Sequence, residues 1–178
     1  MAATDETAQF VYLFHLIRII MKSLSRHITL VQFEDFNALP DEIERALCVR
    51  SFEAQNDAYA PYSKFKVGVA VLLDNGEIIT GSNQENAVFP LGLCGERVAI
   101  FSANNVYPSS KILKMAISTS TKSEQLAFPC GSCRQVLLEE EYKIDQPIKL
   151  FVVGSNRQLL VVESAKDLLP FSFNSSFL

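Results

Sequence analysis

Only four cysteines occur in the 178 residues, at positions 48, 94, 130 and 133. So few thiols, so unevenly spaced, exclude a dense disulfide framework and look like a site rather than a set of staples. An excess of basic charge is also missing, since 16 Lys and Arg face 20 Asp and Glu for a formal charge of -4. That balance argues against a broad nucleic-acid footprint and leaves a small or locally recognised substrate. No repeat period, acidic block or low-complexity linker divides the chain. A long hydrophobic span is absent too: the most apolar run, FVYLFHLIRIIM from Phe10 to Met21, is interrupted by His15 and Arg18. It falls short of the roughly 20 residues that cross a bilayer. It lacks the basic start and small-residue cleavage site of a secretory leader as well.

What is present is 48% hydrophobic residues, enough to bury a core and to make disorder a poor default. Residues 1–27 read as an N-terminal extension, with Phe10–Met21 as a helix that packs in solution or against an oligomer partner. A dispensable extension and a membrane-surface helix are the alternatives. Residues 28–178 read as one domain that begins with an accessory strand over Ile28–Phe33. From Asp41 a helix is expected, its apolar face marked by Ile43, Leu47, Phe52 and Tyr59, until Pro61 stops it. Lys66–Leu73 and Glu77–Ser82 flank Asp74-Asn75-Gly76, a hairpin signal. Helices over Cys94–Asn104 and Gly131–Tyr142 alternate with strands over Ile112–Thr119, Ile148–Val153 and Gln158–Val162. A short helix near Ser164–Leu169 follows. The pattern predicts an α/β fold, a five-stranded mixed sheet with helices on its faces.

The chemistry concentrates in Cys94-Gly95-Glu96 and, far along the chain, Pro129-Cys130-Gly131-Ser132-Cys133. Three thiolates supply soft ligands for a tetrahedral zinc and leave a fourth position for water, the pattern of a catalytic site. Each ligand group falls at the start of a predicted helix, where unpaired N–H groups favour thiolate. Taken alone, the CxxC pair is equally compatible with a structural zinc or with thiol exchange. Arg97 and Arg134 stand just beyond the two groups, placed either to offset thiolate charge or to serve as ordinary surface ions. Glu96 can approach the water without being a ligand and shuttle its proton; its alternative is to favour the first helical turn electrostatically. Cys48, without a neighbouring partner, reads as a small buried hydrophobe.

Together the stretches AYAPYSKFKVGVA, GSNQENAVFPLGLCGERVAI, PCGSCRQVL and DLLPFSF resemble the zinc-dependent cytidine deaminases of the small homotetrameric class, from Ala58 to Phe173, about two thirds of the chain. The resemblance implies the three-layer α/β/α fold of that family. It implies Zn2+ held by Cys94, Cys130 and Cys133, with Glu96 as proton shuttle. By the same likeness Asn83 and Glu85 bind the nucleoside sugar, Phe65 walls the base, and Ala87 and Gly95 read the pyrimidine edge through their backbones. Tyr62 falls in the family's sugar-binding and intersubunit region, the Pro129 carbonyl beside the departing amine, and Phe173 in a tail that reaches a neighbouring subunit's site. Local competitors remain: Asn83 and Glu85 can solvate a loop, Phe65 can be core, Tyr62 can shape a turn, and Phe173 can pack the tail. Gly95 replaces an Ala common in the family, and Phe171 leaves the aromatic register of the tail open.

The implied activity is hydrolytic deamination of cytidine and deoxycytidine to uridine and deoxyuridine with release of ammonia. The implied setting is a cytoplasmic homotetramer in pyrimidine salvage, with neither nucleic acid nor integral membrane as partner. Another aminated heterocycle is the rival substrate class, and polynucleotide editing is disfavoured by the charge and by the lack of a basic-aromatic strip.

Overall fold

The computed structural model describes residues 27–121 and 125–178 of the protein. The helix expected over Phe10–Met21, and all but the last residue of the 1–27 extension, lie outside the described residues. In chain order the elements are β1 (Val31–Phe33), α1 (Glu42–Ala54), β2 (Val67–Leu73), β3 (Ile78–Ser82), α2 (Gly95–Val106), β4 (Ile112–Thr119), α3 (Gly131–Ile144), β5 (Lys149–Val153) and β6 (Leu159–Val162). A single-turn helix follows at Ala165–Leu168.

The strands form one mixed sheet in the order β1-β6-β5-β4-β2-β3. It has six strands rather than the expected five, because the accessory strand β1 pairs antiparallel with β6 and extends the same sheet. β4 and β5 pair in parallel, and α3 supplies the crossover that such a pair needs. In β2 every residue of VGVAVLL is buried, the pattern of a strand covered on both faces rather than one. One face packs Val69, Val71, Ile117 and Leu150 against Ile100 of α2 and Leu137 of α3. The other packs Ala70, Leu72 and Phe151 against Leu47 and Cys48 of α1. The result is three layers, α1 on one side of the sheet and α2 with α3 on the other. Each fully buried Leu, such as Leu47 or Leu137, contributes about 2 kcal/mol of transfer free energy.

α1 begins where the sequence places it, with Asp41 Oδ1 accepting the Ile43 N–H at 2.8 Å as N-cap. Its buried face keeps Leu47 of the expected residues but not the others. Ile43 is 53% exposed, Phe52 is also exposed, and the helix ends at Ala54, before Tyr59. Glu44, Leu47, Cys48, Ser51 and Ala54 turn inward instead, at the i, i+3, i+4, i+7 spacing of a helical stripe. Glu44 can do so because Lys114 Nζ of β4 and Lys149 Nζ of β5 meet Glu44 Oε1 at 2.8 and 3.0 Å.

Two glycines shape the β2–β3 region. Gly76 takes φ +87° in the hairpin and donates its N–H to the Leu73 carbonyl at 3.0 Å, as the Asn-Gly signal predicts. At Gly81 a Cβ would lie 2.5 Å from the Ala99 backbone nitrogen, so its absence lets α2 lie close on β3. The register sets Val67 opposite Thr119 and Gly68 opposite Ser82. The start of β2 and the ends of β3 and β4 therefore meet at one end of the sheet, beside the N-terminus of α2.

Candidate active site

Cys94 and Cys130 are the N-cap residues of α2 and α3, both with extended backbone and neither with a side-chain capping bond. Their carbonyls accept the first intrahelical bonds, from the Arg97 and Arg134 N–H groups respectively. Each thiol therefore sits beside free N–H donors and the positive end of a helix dipole. Cys133, one turn into α3, completes the group from a buried position. Cys94 Sγ lies 3.9 Å from Cys130 Sγ, which lies 3.5 Å from Cys133 Sγ. All three sulfurs fall within 4.8 Å of one another, the metal-ligating cluster found among the described residues. A tetrahedral zinc with Zn–S bonds near 2.3 Å needs sulfurs about 3.8 Å apart, close to the Cys94–Cys130 and Cys130–Cys133 separations.

The electrostatics favour a thiolate in this cluster. The Cys94 thiol is pulled down to about 5, first by a hydrogen bond from the Cys133 thiol and then by the Arg97 guanidinium and Cys130. Cys133 moves up in return, as the donor to Cys94 and through burial. Arg97 Nη2 reaches Cys94 Sγ at 3.9 Å. Arg134 is placed differently: Nε donates to the Pro129 carbonyl at 2.7 Å and Nη1 to the Leu168 carbonyl at 3.0 Å, tying the ligand turn to the C-terminal segment. Glu96, at the second position of α2, is 5% exposed, and burial raises its carboxyl above the usual range, reinforced by negative charge at Cys94.

These groups open on a cavity of about 790 Å³, within the range of small-molecule sites. Phe65, Asn83, Glu85, Cys94, Glu96 and Cys130 line it together, although they come from three separated stretches of chain. The 83–86 segment is threaded between two others: Gln84 exchanges backbone hydrogen bonds with Leu93 at 2.9 Å each way, and Glu85 N–H donates to the Tyr59 carbonyl at 2.9 Å. Asn83 Oδ1 accepts the Val67 N–H at 2.8 Å while Nδ2 donates to the Phe65 carbonyl at 2.9 Å. Glu85 Oε2 accepts the Tyr62 and Ser63 N–H groups at 2.9 and 3.2 Å, and Oε1 accepts the Ser63 hydroxyl. The Ser63 bond, then those N–H groups, hold its carboxyl below the ordinary value.

Not every expected residue reaches this cavity. Ala87, Gly95, Cys133 and Phe173 lie outside its lining, and Phe173 is 59% exposed, stacked on Phe177 with its carbonyl held by Gln135 Nε2 at 3.0 Å. Gly95 opens α2, where a Cβ would stand 3.1 Å from Val69 Cγ2 and 3.3 Å from the Asn83 nitrogen, so the exchange of Ala for Gly relieves crowding. Phe89, whose ring meets Tyr62 edge-on at 5.7 Å, and Phe128 and Thr119 line the cavity without having been singled out from sequence. Thr119 closes an ordinary strand pattern, and nothing local in the chain separates it from a structural residue. Cys48 is buried on the α1 side, as read, and desolvation pushes its thiol up to about 12.

Residues 41–145 match the family model of the cytidine and deoxycytidylate deaminase zinc-binding region. The chain is 39% identical over 138 residues to a cytidine deaminase of Mycobacterium tuberculosis, covering 76% of this chain and 92% of that one. It is 38% identical over 98 residues to a cytidine deaminase of Halalkalibacterium halodurans, covering 54% and 72%. The crystal structure of a cytidine deaminase from Burkholderia pseudomallei superposes with a TM-score of 0.64 at 35% identity, covering 72% of this chain and 97% of that one. Among the described residues no helix is long and apolar enough to cross a membrane. A family match over more than half of the sequence, and a relative 39% identical along 92% of its length, establish that the chain belongs to the zinc-binding cytidine deaminase family.

Proposed function

We propose that the protein hydrolyses cytidine and deoxycytidine, adding water at pyrimidine C4 and releasing ammonia to leave uridine or deoxyuridine. The observation that carries this reading is a cluster of three thiols able to hold a metal ion, two of which, Cys94 and Cys130, share the cavity wall with the buried carboxylate of Glu96. When bound by Cys94, Cys130 and Cys133, zinc supplies Lewis-acid activation of water. Glu96 takes the proton of that water, delivers it to ring N3, and then carries a second proton to the departing amine. Its raised affinity for protons suits both halves of the shuttle. Arg97 offsets the negative charge of the thiolates, and Arg134 fixes the turn that presents Cys130.

Phe65 forms the wall against the base, and Asn83 and Glu85 bind the sugar with the acceptor and donor positions left by their internal bonds. The backbones at Ala87 and Gly95 read the pyrimidine edge. Residues 28–178 act as one catalytic domain behind the 1–27 extension, in a cytoplasmic homotetramer serving pyrimidine salvage. Phe173, exposed and outside its own cavity, completes the site of a neighbouring subunit in that assembly. The test is ammonia release from purified, metal-quantified protein offered cytidine, deoxycytidine, cytosine, dCMP and adenosine in parallel. Turnover confined to the two cytosine nucleosides is expected. Silence across the panel with zinc bound would redirect the reading toward another aminated heterocycle or a structural metal.

A further inference from the structure

Helix α3 holds the C-terminal segment at three points. The Glu141 carboxylate accepts the Ala165 and Lys166 N–H groups at 2.7 and 3.0 Å, Arg134 Nη1 donates to the Leu168 carbonyl at 3.0 Å, and Gln135 Nε2 donates to the Phe173 carbonyl at 3.0 Å. The segment therefore runs back along α3 toward the turn that carries the thiols. Arg134 and Gln135 directly follow Cys133, and Arg134 Nε also grips the Pro129 carbonyl just before Cys130. Beyond Phe173 the tail is shaped further: Asn174 Oδ1 accepts the Ser176 N–H at 2.9 Å, and the Phe177 ring stacks on Phe173 at 5.7 Å.

Chain ends are ordinarily loose unless tied down, and here the ties hold rings that the core of the same chain does not bury. Phe171, Phe173 and Phe177 are all exposed, and so are Tyr62 and Phe89, which line the cavity. One chain thus carries an uncovered aromatic tail and an uncovered aromatic rim, two surfaces that a second copy can join. We infer that Gln135 is a positioning residue: by holding the Phe173 carbonyl it presents the Phe173 ring to the cavity of a second copy of the chain. The helix that bears two thiols of one site then sets the shape of its neighbour's pocket. Gln135 rather than Arg134 carries this role, because the Arg134 bonds stop at Leu168, before the ring-bearing residues. The inference rests on the reading of Phe173 as completing a neighbouring subunit's site.

The experiment compares Gln135→Leu, Gln135→Arg, Phe173→Ala and the double variant Gln135→Leu/Phe173→Ala with the wild type, as zinc-loaded full-length protein. It reads kcat and KM for cytidine beside zinc content. Gln135→Leu is expected to raise KM by about threefold to tenfold, the size of one neutral hydrogen bond, with kcat and zinc content held. Gln135→Arg, whose Nε–H stands as far along the side chain as the lost donor, restores most of KM. In the Phe173→Ala background Gln135→Leu adds nothing further, because the ring it positions is gone. Co-expression with Glu96→Gln subunits supplies intact tails to the sites that still turn over, so the KM of Gln135→Leu returns toward the wild-type value. An unchanged KM in Gln135→Leu, a loss of zinc or kcat instead, or no recovery in the mixed assembly would overturn the inference while leaving the Phe173 reading intact. An unchanged KM in Phe173→Ala would overturn both. Should Gln135→Leu fail to fold, Gln135→Glu makes the same comparison.

Discussion

Asn83 and Phe65 are joined by a hydrogen bond from the Asn83 amide to the Phe65 carbonyl, while the amide oxygen of Asn83 accepts the Val67 N–H two residues on. One side chain thus straddles the backbone that carries the aromatic wall of the cavity. Asn83→Asp keeps the acceptor for Val67 and replaces the donor opposite the Phe65 carbonyl with a second oxygen. The wall then loses its anchor, and a buried charge is introduced. We expect a loss of about 1–3 kcal/mol in stability and a rise in KM of tenfold or more, with kcat less affected. Urea unfolding and steady-state kinetics on one preparation check both, and an unchanged KM would remove Asn83 from the positioning of Phe65.

Glu85 makes the companion contact, and its effect depends on pH. Its carboxyl is held below the ordinary 4.5 by the Ser63 hydroxyl and then by the Tyr62 and Ser63 N–H groups. A depressed folded-state value contributes stability that is present above the unfolded value and lost as pH falls through the folded one. Glu85→Gln should therefore melt below the wild type at pH 7, with the gap closing below about pH 4.5. A Tm series from pH 7 to pH 3 decides it. A gap that persists at acid pH would mean that shape, rather than the ionised carboxylate, holds the turn.

Such long-range partnerships mark the limit of what the chain reveals when read alone. The Asp41 cap, the Asn75-Gly76 hairpin and the all-apolar β2 were legible because each depends on residues close in sequence. The thiol cluster was legible because few residue types can hold a metal and their spacing is restrictive. The inward face of α1 was not, because Glu44 looks like a surface residue until Lys114 and Lys149 arrive from two strands formed much later. The bonds of Arg134 to the Pro129 and Leu168 carbonyls were not legible either, since Leu168 lies 34 residues further along the chain.

Glu96 and Cys94 stand two residues apart and should fail in different ways. On the proposed mechanism Glu96→Gln preserves shape and removes the proton acceptor, so zinc content should stay near one per chain while kcat falls by about 10²–10⁴-fold. Cys94→Ser removes one of three soft ligands and should lower retained zinc directly, with activity following the metal. Metal analysis after gel filtration, beside ammonia release, separates the two. Full zinc in Cys94→Ser would refute its role as ligand, and unchanged turnover in Glu96→Gln would refute the shuttle. Chelation of the wild type should likewise abolish activity, and added zinc should restore it.

The buried Glu44 offers a test of how the α1 layer is held. Its carboxylate faces Lys114 and Lys149 at 2.8 and 3.0 Å, and Asp41 lies 3.5 Å from Lys114, so two cations share a largely buried anion between helix and sheet. Glu44→Leu leaves both ammonium groups facing an apolar contact without their main counter-ion. Both lysines are about a quarter exposed and can turn partly to water, which places the expected loss at about 2–3 kcal/mol, toward the lower end for a broken buried pair. Adding Lys114→Met and Lys149→Met to Glu44→Leu should recover most of that loss, because well-packed apolar groups commonly replace a buried ion network at little cost. Urea unfolding of the single and triple variants measures the difference. Recovery would show that the ion network adds no net stability over apolar packing, whereas a further loss in the triple variant would show that the network itself stabilises the layer.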